Sequence, residues 1–187
     1  NVMQNVNWKS FLDGPKSKWR QVLNHAVFWG THGGDALELW IARVLERKKV
    51  KTFAHLYHDL KVVVADVSRQ KAAVLPDHLH EYGLRVDEFP IAKALRASAS
   101  IPVVFRPVEV ATKLGPCFWV DGGVVSNFPA WTFQRSETPT VGVILDENEG
   151  REKITLNSLI DYYKGVFNLA LGSGRDLSDV HFPVVKV

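Results

Sequence analysis

The sequence predicts an α/β layer structure with a mostly parallel sheet, and three observations point to it. Lys61 to Val67 reads Lys-Val-Val-Val-Ala-Asp-Val, a β-branched run too short for a helix and too apolar for a strand wetted on one face. The stretches from Asp35 and from Pro90 place apolar residues at helical spacing instead. Such helical and extended stretches alternate along the chain, as they do where helices layer onto a sheet.

Taken in order, Pro15 to Trp29 carries Trp19, Val22, Leu23, Ala26 and Val27 at helical spacing, with Pro15 suited to the first turn. Its polar side holds Lys16, Lys18 and Arg20; these could meet anionic lipid head groups, although a solvated face accounts for them too. Gly30 to Gly34 interrupts the pattern. Asp35 and Glu38 then form a capping-box spacing ahead of Leu37, Trp40, Ile41, Val44 and Leu45, which predicts a second helix. Lys48, Lys49 and Lys51 follow, where cations oppose the negative end of the helix dipole. Lys61 to Val67 is expected to be a buried parallel strand. Pro90 opens a short helix through Ile91, Ala94, Leu95 and Ser98 that must end before Pro102. Val103 to Phe105 is extended, Phe118 to Val120 is a brief strand running into Asp121-Gly122-Gly123, and Thr140 to Leu145 is a further buried strand. Leu156, Leu159, Ile160, Tyr163, Val166 and Phe167 mark a helix that Gly172 or Gly174 caps, and His181 to Val187 reads as a last strand.

Nothing divides this pattern, so residues 1–187 are expected to form a single domain. Both ends look cut: the chain starts at Asn1 and stops directly after an apolar run, and the domain is expected to be incomplete at its N-terminus and at its C-terminus. The 46% apolar and 23% charged residues are ordinary for a globular chain. With 23 Lys and Arg against 20 Asp and Glu, the surplus of +3 makes no electrostatic footprint for nucleic acid. The single cysteine, Cys117, excludes an internal disulfide and fits a reducing interior. No run approaches the roughly 18 apolar residues of a membrane span.

The chemistry is expected at Asp121-Gly122-Gly123, because reactive groups of open α/β sheets gather at the carboxyl ends of strands. A carboxylate there suits a general base, and glycines beside it allow a tight turn and close approach of another segment. Asp-Gly is also a common turn dipeptide, so context has to decide. That context is extensive. Gly34-Asp35-Ala36-Leu37 opens a helix, Val64-Ala65-Asp66 ends a strand, and Ala94-Leu95-Arg96-Ala97-Ser98-Ala99-Ser100-Ile101-Pro102 precedes Phe105 and Pro107. Trp119-Val120-Asp121-Gly122-Gly123-Val124-Val125-Ser126-Asn127-Phe128-Pro129 completes the series. In these blocks, in order and spacing from about Gly30 to Leu145, the chain resembles the patatin-like phospholipases.

The resemblance implies a three-layer α/β/α fold with a mostly parallel central sheet, and lipid ester hydrolysis by a serine and aspartate dyad. Asp121 is then the base, taking the serine's proton without a histidine. It implies a lipid ester as substrate and no cofactor, and it allows contact with a membrane surface. The nucleophile belongs in a G-x-S-x-G elbow between strand and helix, after a glycine-rich oxyanion loop. None of the ten serines has glycine at both minus two and plus two; Gly172-Ser173-Gly174 comes nearest and reads better as a helix stop. Ser98 and Ser100 sit at a helix end, where hydroxyls satisfy local backbone groups. The chain is therefore expected to supply the base without the nucleophile and to be inactive alone. A binding or scaffold protein of the same fold, touching lipid without catalysis, is the rival reading.

His55 with His58, and His78 with His80, have spacings a metal could use, but no third ligand accompanies either pair, and no metal is expected. His55 and His58 read as structural residues of a helix. Asp66 is a second acidic candidate at the same sheet edge, with loop capping as its more ordinary role. Asn127 is expected to brace the turn, and Arg96 to pair locally or cap its helix.

Overall fold

The computed structural model describes residues 7–15, 17, 29–113, 115–126, 128–133, 139–144, 165–166 and 183–186. The chain forms two compact units, 1–122 and 123–187.

In the first unit, β1 (Gly30–His32) pairs in parallel with β4 (Val103–Phe105). A four-stranded antiparallel sheet runs in the order β3 (Lys71–Leu75), β2 (Val62–Asp66), β6 (Gly115–Asp121), β5 (Val108–Thr112). Helices α1 (Asp35–Glu46) and α2 (Ile91–Ser98) pack on each other, and α2 also packs on β2 and β6. The chain is thus mixed α/β.

The run expected at Lys61 to Val67 is β2, and all five of its residues are buried. Its direction is a correction. β2 is antiparallel to both β3 and β6, not a parallel strand. An uninterrupted apolar run reports that both faces of a strand are covered; it says nothing about which way the neighbours run.

Val62 and Val64 face the core that contains Ala73, Leu75, Val110, Cys117 and Trp119 of the sheet and Ile91, Ala94 and Ala97 of α2. The alternate residues Val63 and Ala65 are buried as well. Trp119 is fully buried, with the Tyr82 ring edge-on at 4.9 Å and the Phe89 ring at 5.8 Å. Aromatic contacts at such separations add about 0.5–1.5 kcal/mol each to the area they bury.

Among the described residues of this unit, α1 and α2 stand where the periodicity placed them, and α2 stops at Ser98, ahead of Pro102. The capping box does not form. Asp35 is the first helical residue, and the N-cap position falls on Gly34, whose φ of 84° is left-handed. The cap comes from Asp13 instead: the Gly34 N–H donates to its Oδ1 at 2.7 Å and the Ala36 N–H to its Oδ2 at 3.0 Å. A short turn, Trp8–Phe11, brings Asp13 there, with the Phe11 ring 5.3 Å from Trp40 of α1.

In the second unit, β7 (Gly142–Ile144) pairs in parallel with β8 (Val184–Lys186), two strands the sequence anticipated at Thr140 to Leu145 and His181 to Val187. Val143 is 63% exposed, so β7 is not the buried strand expected. Among the described residues it has β8 on one edge only. The helix expected over Pro15 to Trp29 lies largely outside the described residues. So does the one over Leu156 to Phe167, of which only 165–166 are described, in helical conformation.

Candidate active site

β6 carries the candidate base. Cys117, Trp119 and Val120 anchor the strand in the interior, and its last residue, Asp121, comes out half-buried. Asp121 stands opposite Val64 of β2. The ladder to β5 stops at Trp119, and beyond it the Asp121 N–H donates to the carbonyl oxygen of Ser100 at 3.0 Å. Gly122 and Gly123 follow in a single helical turn, Gly122–Val124. A Cβ on Gly122 would lie 2.4 Å from the Val63 carbonyl oxygen, closer than any side chain can approach, so only glycine lets the chain leave β6 against β2. Asn127 lies outside the described residues.

Asp66 is built differently. It is 1% exposed, and its Oδ1 accepts the Ser68 N–H at 2.9 Å and the Arg69 N–H at 3.1 Å. Its Oδ2 accepts the Tyr82 hydroxyl at 2.8 Å, with Arg69 Nε 3.8 Å away. Burial first, and then the Asp66 carboxylate, hold the Tyr82 hydroxyl far above its ordinary pKa. Asp66 therefore caps the β2–β3 turn. It does not share a sheet edge with Asp121: in antiparallel strands the carboxyl ends point in opposite directions, and Asp66 stands opposite Trp119.

The serines of the resembling block are structural at their hydroxyls. Ser100 is 1% exposed; its Oγ–H donates to the Arg96 carbonyl at 2.6 Å and its Oγ accepts from Arg96 Nη1 at 2.6 Å. Arg96 is 4% exposed, and its Nη2 donates to the Gly33 carbonyl. Burial lowers the Arg96 pKa, opposed by Glu38, Asp35 and Asp13. Ser98 is half-buried in the last turn of α2.

His55 belongs to a one-turn helix, Phe53–His55, and Leu56 beyond it is extended, which corrects the longer helix expected to hold His55 and His58. The Thr52 N–H donates to His55 Nδ1 at 3.3 Å. His78 Nδ1 accepts the Val74 N–H at 3.1 Å, and His80 Nδ1 bonds the Asp77 carbonyl at 2.7 Å. Among the described residues no group of three His, Cys, Asp or Glu side chains is placed to hold a metal ion. Nor is any helix of those residues long and apolar enough to cross a membrane.

Asp13, which reaches the α1 terminus from far along the chain, carried no signal in the sequence; Ser100 was expected to satisfy local backbone groups with its hydroxyl, as it does, but the bond from the Asp121 N–H to its carbonyl was not. A family model described as patatin-like phospholipase matches residues 1–133. The chain is also 37% identical over 147 residues to the uncharacterized protein YqhO of Bacillus subtilis, covering 76% of this chain and 50% of that protein. It spans about half the length of the curated relative it matches.

Proposed function

From the premise that this chain belongs to the patatin-like phospholipase family, whose members act on lipid substrates, we propose that the complete protein hydrolyses lipid esters with Asp121 as general base. The observation that carries the proposal is a half-buried carboxylate that directly follows the buried Trp119 and Val120 at the end of β6, with a glycine pressed onto the neighbouring strand after it. A backbone held on both edges gives a carboxylate a defined position, and general-base catalysis depends on that position before it depends on pKa.

In this reading Asp121 accepts the hydroxyl proton of a serine as the serine oxygen attacks the acyl carbonyl. Collapse of the tetrahedral adduct expels the alcohol, which takes the proton back from Asp121 and leaves an acyl-enzyme; water then attacks that ester, again giving up its proton to Asp121, and the second collapse releases the carboxylic acid and expels the serine oxygen, which takes that proton back. The serine comes from the complete protein outside these 187 residues, and they alone are expected to be inactive. The three-layer arrangement around a mostly parallel sheet, and one domain spanning 1–187, belong to the same proposal; the parallel β1–β4 pair fits the former, while the four-stranded sheet beside it is antiparallel.

The test is Asp121→Asn in the full-length protein, assayed on a short-chain p-nitrophenyl ester. Turnover is expected to fall by at least about a hundredfold, the usual worth of a positioned base. A folded variant with wild-type turnover would end the role of Asp121 as base, and a full-length wild type without ester turnover would leave a lipid-binding scaffold in its place.

A further inference from the structure

Asp121 is the last residue of β6, and its two edges are held differently. On one edge β2 continues alongside, Val64 opposite Asp121. On the other, β5 has ended at Val108 opposite Trp119, so the Asp121 N–H depends on the lone carbonyl of Ser100. That carbonyl belongs to a residue pinned in its turn. The Ser100 N–H donates to the Ala97 carbonyl at 3.0 Å, and its hydroxyl is locked between Arg96 Nη1 and the Arg96 carbonyl at 2.6 Å each.

Arg96 reaches further. Its guanidinium donates to the Gly33 carbonyl and lies across Gly34, where a Cβ would sit 2.6 Å from Nη2 and 2.7 Å from Nε. Gly34 is the left-handed residue that starts α1, and its N–H is held by Asp13. A continuous set of bonds therefore runs from Asp13 and the α1 terminus through Arg96 and Ser100 to the backbone of Asp121. Burying a guanidinium is costly unless its donors are used, and here one is used on the hydroxyl of the residue whose carbonyl completes the edge of β6 and another on the Gly33 carbonyl.

We propose that Arg96 and Ser100 are positioning residues for Asp121, setting where its carboxylate stands without themselves meeting the substrate. The proposal rests on Asp121 being the base. Displacing a reacting group by about 1 Å costs on the order of a hundredfold in rate, so a partial loosening is expected to show in turnover and not in substrate affinity.

The experiment uses the full-length protein and p-nitrophenyl ester hydrolysis, with Ser100→Ala, Arg96→Lys and Asp121→Asn compared in parallel. Ser100→Ala removes one hydroxyl and keeps the carbonyl; it is expected to lower kcat by about tenfold or more with KM within about twofold, and to speed hydrogen exchange at the Asp121 amide. Arg96→Lys, which keeps the charge but loses the two-pronged contact, is expected to do the same more strongly. Should Arg96→Lys fail to fold, Ser100→Ala decides alone. An unchanged kcat in folded Ser100→Ala beside an inactive Asp121→Asn overturns the positioning role and leaves the base intact, as does a loss confined to KM. An active Asp121→Asn is the separate failure, that of the base itself.

Discussion

Gly122 and Lys49 are two residues whose backbone needs run in opposite senses. At Gly122 the constraint is space: the nearest Val63 atom to an added Cβ is a backbone carbonyl oxygen that cannot swing aside. Gly122→Ala is expected to cost about 1–3 kcal/mol in urea denaturation, the range for overpacking a tight site, and to reduce ester hydrolysis in the full-length protein because the end of β6 must shift. At Lys49 the constraint is conformation. This residue follows α1 with φ of 58°, the Lys49 N–H bonding the Glu46 carbonyl and the Val50 N–H the Leu45 carbonyl, a helix stop that usually carries glycine. Lys49→Gly is expected to raise stability by about 0.5–1 kcal/mol, read as a higher urea midpoint with unchanged slope.

At the scale of elements, the start of α1 depends on a residue outside it. Asp13 receives the Gly34 and Ala36 N–H groups, so Asp13→Ala is expected to cost about 1 kcal/mol, as for other lost helix caps. Burial pushes the Asp13 pKa up, but the backbone donors of Ala36, Gly34, Asp13 and Asp35 together outweigh it and the net shift is downward. A carboxylate with a lowered folded-state pKa contributes stability above its unfolded value, near 3.9, and loses that contribution as pH falls through the lowered value. The difference in urea midpoint between wild type and Asp13→Ala should therefore be full at pH 6–8 and shrink below about pH 4. Side-chain exposure at Asp13 keeps the pH-dependent part small.

The whole molecule offers a probe of its own folding in Cys117, the single thiol, which lies 5% exposed on β6. A thiol reagent should leave native protein almost unlabelled and react fully in denaturant, with the labelling curve following loss of the first unit. Fast labelling of native protein would mean that β6 opens far more easily than its burial suggests.

The amino-acid order by itself determined which stretches are helical and which extended wherever periodicity was strong: α1, α2 and β2 stand within a residue or two of their expected bounds, and the resemblance read from its motifs is to the family whose model matches residues 1–133. β3 and β5 went unrecognised. The turn before β3 uses Gln70 at φ of 54° where glycine or asparagine would have announced it, and β5 alternates over only five residues. Only the tertiary structure decided that β2 lies between antiparallel neighbours, that Asp66 is closed by hydrogen bonds while Asp121 is not buried, and that Asp13 caps α1. The physical reason is common to all three. Hydrophobic spacing records whether a face is covered, whereas strand direction, a carbonyl's partner and a cap delivered from 21 residues away are settled by which groups meet in space, and a backbone oxygen looks the same on every residue.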